Sequence, residues 1–450
     1  MMKNQASLQR TLTLMPVVLF GLAYMAPMTV FTTYGVATQI SQGMLPLAYL
    51  LALAAMMFTA YSYSQMVKAY PVAGSAYTYT QKSMNPQVGF LVGWAVLMDY
   101  LFLPMINFLV AGIYLSAAFP SVPQGIWVCL FIVVMTLINI LGIRLTTNIN
   151  TLLIVFQAMV IIVFMALSIK GIMNGIGTGT LVAINPFVNP DVPLSSVIAG
   201  SSILCLSFLG FDAVTTLSEE TINSQKTIPK AILLVTLIGG ALFIIVSYVA
   251  HMVYPDYASF QNADSAASEI AEFVGGILFG SVFIAGMITA CFASGLSAHA
   301  SVSRLLYAMG RDRVISHTLF GYIHPKFKTP VFNIVLVGIF AVSGLFVDLV
   351  TATSFINFGA LVAFTFVNLS VISHYFIRNQ RRSGPDIIRF LLVPLIGACF
   401  TLWLWTNLDS HSFTLGCIWI AIGVIYLAYL TKLFTRRPPE LSFDEADKPA

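Results

Sequence analysis

The chain has 450 residues, 58% hydrophobic and only 8% charged, with a formal net charge of +4. A soluble domain carries about 25% charged residues, so no soluble fold of this length could cover its surface with so few. Lipid is the solvent that accepts such a surface, and no charged stretch is long enough for a second, water-exposed domain.

The first apolar stretch runs from Thr11 to about Ile40. It is far longer than the apolar core of a cleaved leader and holds no cleavage-like site, so it is expected to stay as the first helix. Hydropathy then places twelve spans near 12–40, 45–68, 87–117, 125–143, 150–171, 195–218, 228–253, 271–302, 329–347, 353–377, 388–406 and 412–433. Twelve helices of ~20 residues need ~240 residues, which leaves room for loops, tilt and tails. With the N-terminus inside, Lys170 alone among the 21 Lys and Arg falls on an outer segment. That bias places both termini in the cytoplasm and supports an even span count. The expected organisation is a cytoplasmic N-terminus (1–11), a membrane transport domain (12–434) and a polar, disordered cytoplasmic tail (435–450). The chain reads as an all-α polytopic membrane protein.

Two spans carry interruptions. In the first, Gly21-Leu22-Ala23-Tyr24-Met25-Ala26-Pro27-Met28 places a proline inside a membrane helix. Proline removes a donor and clashes with the preceding turn, and backbone groups freed in lipid need protein, water or ligand to satisfy them. In the sixth, Ser207-Phe208-Leu209-Gly210-Phe211-Asp212 sets a carboxylate two residues after a glycine. Spans one and six would be the first helices of two five-helix units, 12–171 and 195–377, with helices 11 and 12 following at 388–433, an architecture that the resemblance described below implies. Five is odd, so adjacent units are inverted. Paired interrupted helices at matching positions of inverted halves point to a binding site at the bilayer midplane.

Asp99 lies ~18 Å along the third span at ~1.5 Å per residue, close to the midplane, and Asp212 lies at the sixth-span break. Carboxylates at such depth are costly and mark candidate functional sites; the bland alternative is a structural hydrogen bond, for instance to Tyr100. A substrate ammonium would hold them charged. Tyr24, Tyr100, Phe208 and Phe211 stand beside the breaks and could face that ammonium or its methylenes. Glu219, Glu220, Arg304, Arg311 and Asp312 sit at inner helix ends, as gate ion pairs or solvated termini. The five cysteines fall in apolar stretches and read as small buried hydrophobes, with no metal-binding spacing. His251, His299 and His374 are isolated and read as packing residues. The GIGTGT run from Gly175 opens no βα unit and is no phosphate loop. No cofactor motif and no metal site is expected.

Several motifs together resemble the amino acid–polyamine–organocation superfamily of secondary transporters. Tyr70-Pro71 with Gly74-Ser75-Ala76-Tyr77 is similar to the segment that follows its second helix. Phe208-Leu209-Gly210-Phe211-Asp212, Glu219-Glu220 and Ile228-Pro229-Lys230-Ala231-Ile232 resemble its helix 6–7 signature. Ser303-Arg304-Leu305-Leu306-Tyr307-Ala308-Met309-Gly310-Arg311-Asp312 resembles its helix 8–9 loop. The stretches Ala293–Arg304 and Asn357–Ser370 are similar to bacterial putrescine importers. The resemblance spans nearly the whole chain and implies twelve transmembrane helices, with an inverted 5+5 repeat, broken helices 1 and 6, and two extra helices. Two positions depart from the pattern. Thr32 stands where the putrescine importers carry Asp, which takes away one ammonium partner for a diamine. Gln157 stands where some superfamily members carry a helix 5 Lys linked to proton coupling.

The expected function is secondary active import of a small, putrescine-like amine by alternating access, with protons as the coupling ion because no ATP-binding motif occurs. Tyr24, Met25, Ala26, Pro27, Asp99, Tyr100, Phe208, Gly210, Phe211 and Asp212 are the expected substrate-binding residues. The rival within transport is an amino acid of the same superfamily, since one lost aspartate fits a substrate with one ammonium. Two other classes are an intramembrane hydrolase, from Gly295-Leu296-Ser297-Ala298, and a sensor that binds ligand without accumulating it.

Overall fold

A computed structural model describes residues 8–433 and 435, except 262, 264, 265, 347, 348, 407 and 409. The expected N-terminal segment is thus seen from Leu8 onward, and the expected disordered tail lies outside the described residues except Thr435.

The described residues form an all-helical bundle. The first span is broken into α1 (Leu14–Met25), the single turn α2 (Thr29–Thr32) and α3 (Tyr34–Ile40). The second is α4 (Leu45–Ala69). A helix not expected from hydropathy, α5 (Ser75–Ser83), follows it. Polar residues fill α5, yet it is buried by packing across α6 (Pro86–Ala118). Local chemistry sets the start of α6: Pro86 suits the first helical turn, and the Asn85 side chain accepts the Gln87 N–H at 2.8 Å. Then come α7 (Gln124–Leu141) and α8 (Ile143–Met173), which begins seven residues before its expected bound at 150.

The sixth span contributes only α9 (Leu194–Leu204) as α-helix. It continues as 3₁₀ turns on either side of an irregular segment at 209–212. The chain goes on through α10 (Ser224–Val253), the long α11 (Ala266–Arg311), the short α12 (His317–Phe320), α13 (Val331–Ala341) and α14 (Leu349–Val371). α15 (Gly384–Ile387), α16 (Val393–Trp405) and α17 (Ser410–Leu430) end it. Gly276, with φ 70°, bends α11 near its N-terminal end. Among the described residues ten helices are long and apolar enough to cross a bilayer. Two shorter apolar ones, Leu194–Leu204 and Val331–Leu345, stand at the sixth and ninth expected spans.

Helix α8 shows how the faces are divided. On α8, Asn150, Gln157 and Ser168 are fully buried, whereas Leu152, Met159 and Ile162 lie open on the outer face. That arrangement suits lipid outside and polar packing within. Three cysteines depart from the expectation of burial. Cys129, Cys399 and Cys417 are exposed on the outer surface, Cys291 is intermediate and Cys205 alone is buried. Composition marks a stretch as apolar but does not say which face of its helix looks outward. The core is a continuous cluster from α1 to α17, centred on the contacts of α4 with α10 and of α6 with α11 and α14.

Candidate functional site

The two breaks meet. Ala26 ends α1 with φ 54°, and Gly210 turns the sixth span with φ 119°, a conformation that favours glycine. A Cβ on Gly210 would stand 2.4 Å from Tyr24 Cδ1 and 2.9 Å from the Met25 N atom. Glycine at that position is what lets the two interrupted backbones touch.

The carbonyls freed at the first break find donors. The Tyr24 carbonyl accepts from Ser294 Oγ of α11 at 2.8 Å, and Ser294 itself accepts from Asn107 Nδ2 at 3.2 Å. The Met25 carbonyl accepts from Thr29 Oγ1 at 2.8 Å, and the Ala26 carbonyl from the Thr29 N–H at 2.9 Å. A break satisfied this way persists in a bilayer core without water.

Asp212 sits in the irregular segment of the second break with 2% of its surface exposed. Its Oδ2 accepts from the Tyr100 hydroxyl at 2.8 Å, and its Oδ1 lies 3.4 Å from the Gly210 N–H. Asp99, on α6 one residue before Tyr100, is 3% exposed, and its Oδ1 has no hydrogen-bond partner among the described residues. Each carboxylate lies within electrostatic reach of the tyrosines around the breaks, and Asp99 within reach of Asp212. Gly359 of α14 lets the Asp99 backbone pack closely, since a Cβ there would stand 2.8 Å from the Asp99 N atom. Among the described residues no ion pair reaches either carboxylate.

The expected residues divide. Tyr24, Met25, Ala26, Gly210, Tyr100, Asp99 and Asp212 gather at the junction, with the Tyr24 and Tyr100 ring centroids 6.3 Å apart. Pro27 is buried in the turn that follows α1. Met25 turns its thioether toward Gly239 of α10. Phe208 packs edge-on against Phe243, and Phe211 stacks on Phe364 at 5.3 Å, so both rings are engaged in the wall. Sequence reasoning did not single out Tyr63 and Tyr79, whose buried hydroxyls, like that of Tyr24, have no partner among the described residues. It also passed over Ser294, although the importer-like stretch that begins at Ala293 contains it. Gln157 is buried on α8 with neither amide atom satisfied.

At one end of the bundle the charged helix termini pair rather than lie solvated. Arg304 and Glu220 form a two-point ion pair in which both side chains are 2% exposed. Arg311 reaches Glu219 and, at 3.2 Å, Asp312. Glu219 also accepts the Ala73 N–H at 3.0 Å, and Tyr77 donates to Asp312 at 3.1 Å. Burial pushes the Asp312 carboxyl upward, while the Arg311 guanidinium draws it back. The segment before α1 joins the same cluster: the Thr11 and Leu12 N–H groups both donate to the Glu220 carbonyl. The network ties the segment before α1, the start of α5 and the C-terminal end of α11 together at this end of the bundle.

Ser297, the nucleophile of the hydrolase reading, is fully buried, donates to the Ala293 carbonyl and accepts from Asn150 Nδ2 at 2.8 Å. His299 and His374 are engaged too, with the Ile334 carbonyl and the Tyr70 hydroxyl, each at 2.8 Å.

Comparison with known proteins agrees with this architecture. Residues 16–431 match the family model described as amino acid permease. A low-affinity putrescine importer of Escherichia coli K12 is 47% identical over 438 residues, covering 97% of each chain. A methylthioribose transporter of Bacillus subtilis is 28% identical, covering 95% of this chain and 94% of its own. A branched-chain amino acid permease of the same organism is 26% identical over 95% of each. Among solved structures, a Na+-coupled sialic acid symporter shares the fold, with a TM-score of 0.56 over 88% of this chain and 89% of its own at 13% identity.

Proposed function

Because the chain belongs to the amino acid permease family, we propose that it is a secondary active transporter importing a small putrescine-like amine across the cytoplasmic membrane by alternating access. The observation that carries the reading is the pair Asp99 and Asp212, buried at the junction of two helix breaks without a cationic partner among the described residues. Buried carboxylates need a compensating charge. A substrate with two ammonium groups supplies one for each, and the uncommitted hydroxyls of Tyr24, Tyr63 and Tyr79 add polar contacts. The likeness to a putrescine importer along nearly its full length supports the same substrate class.

Every expected substrate-binding side chain is buried in this conformation, so entry needs a movement of one helix group against the other. Protons are the coupling ion we favour. A carboxylate that binds a proton in one state and an ammonium in another links the two fluxes, and Asp99, with its open oxygen, suits that role better than Asp212. The inverted units 12–171 and 195–377 supply the two broken helices. The Lys and Arg distribution supports a topology with both termini in the cytoplasm. A second reading, an amino acid, rests on the Tyr100 hydroxyl already holding Asp212, which leaves Asp99 as the open carboxylate for a single ammonium.

The test is radiolabelled putrescine uptake into proteoliposomes with an inward proton gradient. Accumulation by the parent, collapse on dissipating the gradient, and loss of about a hundredfold in Asp212→Asn are expected; truncating one member of a buried charge pair costs about 2–5 kcal/mol. No accumulation by a reconstituted parent that accumulates neutral amino acids would replace the amine with the second reading.

A further inference from the structure

A groove of about 290 Å³ opens on the outer face of the bundle between α4 and α10. Lys68, in the last turn of α4, and Lys226 and Lys230, in the first turns of α10, line it together with Tyr61, Ser64 and Leu233. All three lysines are exposed, none is in an ion pair among the described residues, and no lining residue is acidic. Arg389 adds a fourth positive charge within reach of Tyr61.

The two helices run in opposite directions, yet each places its lysines at the same end, the one that holds the Arg304–Glu220 pair. The residues four, seven and eleven positions after Lys226 are Lys230, Leu233 and Leu237, so charge and apolar surface share one helix face. Leu234, Leu237 and Ile238 are exposed further along α10, about one to two turns beyond Lys230. The floor is fixed by Ser64 Oγ, which donates to the Pro229 carbonyl at 3.2 Å.

We propose that this groove is a binding site for one anionic phospholipid, whose phosphate the three lysines hold and whose acyl chain lies along Leu233 and Leu237. Charge complementarity selects the headgroup, since basic pockets between membrane helices recognise anionic headgroups. The apolar wall selects a lipid over a soluble anion, because a free phosphate leaves that wall bare. The bound lipid bridges α4 and α10, the helices packed behind the first and second breaks. The site stands apart from the Asp99–Asp212 junction and does not depend on what is transported.

Native mass spectrometry of the full chain in detergent tests it, with equal amounts of phosphatidylglycerol or phosphatidylcholine added and glycerol 3-phosphate in a parallel arm. Preferential retention of phosphatidylglycerol is expected. Lys230→Gln should weaken it about fivefold, and Lys68→Gln/Lys226→Gln/Lys230→Gln by about that factor per lysine, from the attraction of one basic residue for an anionic surface. A charge-matched control, Arg313→Gln/Lys326→Gln/Lys328→Gln, should keep the preference. Equal retention of the two lipids, an equal loss in the control, or glycerol 3-phosphate binding as tightly as the lipid would each overturn the proposal.

Discussion

Tyr100 spends its hydroxyl on Asp212, and that one bond separates two carboxylates that look alike in the sequence. Asp212 is held by a donor and the neighbouring backbone, whereas Asp99 keeps an open oxygen. Tyr100→Phe therefore removes the donor and leaves the acid buried, a change costing about 1–3 kcal/mol. The expected outcome is a putrescine transport KM altered by about tenfold with the protein still folded, checked by uptake kinetics beside the melting temperature. Asp99→Asn should act on coupling: uptake down a substrate gradient survives, while proton-driven accumulation falls, as a counterflow assay beside a gradient-driven one would show. Gly210→Ala strikes the backbone. Its φ of 119° and the Tyr24 ring 2.4 Å from the added carbon leave the side chain no room. We expect a loss of about 2 kcal/mol or more from strain alone, read as a lower melting temperature and a poor folded yield.

The interrupted helices were legible as interruptions because proline and glycine have fixed backbone consequences. Their partners were not. Nothing near Ser294 marks it as the donor to the Tyr24 carbonyl, because the contact joins positions 270 residues apart. The charged end of the bundle follows the same logic: Glu219, Glu220, Arg304 and Arg311 were visible as charges, but only packing shows that the Arg304–Glu220 pair is dry. Arg304→Met should cost about 3–5 kcal/mol because it strands Glu220, and adding Glu220→Leu should restore most of it. Chemical denaturation or thermal melting of the single and double variants checks this. If the pair closes the inner end, a cysteine placed at buried Ser301 should also react faster with a thiol reagent from that side in Glu220→Gln, in a background without the native cysteines.

At the scale of the molecule the bundle presents apolar side chains outward and packs a largely apolar core with hydrogen-bonded polar residues inside it, so its stability leans on van der Waals packing and internal hydrogen bonds rather than on exclusion of water. The positive-inside reading makes a direct prediction. Single cysteines beside Lys326 and beside Asp191 should be labelled by a membrane-impermeant reagent from opposite sides of the membrane, with Lys326 on the cytoplasmic side. Labelling of both from one side would overturn the topology.

The sequence by itself determined the solvent, the class of fold and the positions of both breaks. These follow from composition, from the ~20-residue period of apolar runs and from residues whose backbone preferences are local. The motifs near Gly74, Gly210 and Arg304 were enough to place the family. Tertiary structure alone decided that α5 is buried, that three of the cysteines face outward, that Phe208 and Phe211 are occupied by the wall, and that Asp212 has a donor while Asp99 keeps a free oxygen. Each of these turns on which face of a helix meets which neighbour, and hydropathy averages over the helix and so carries no information about its rotation.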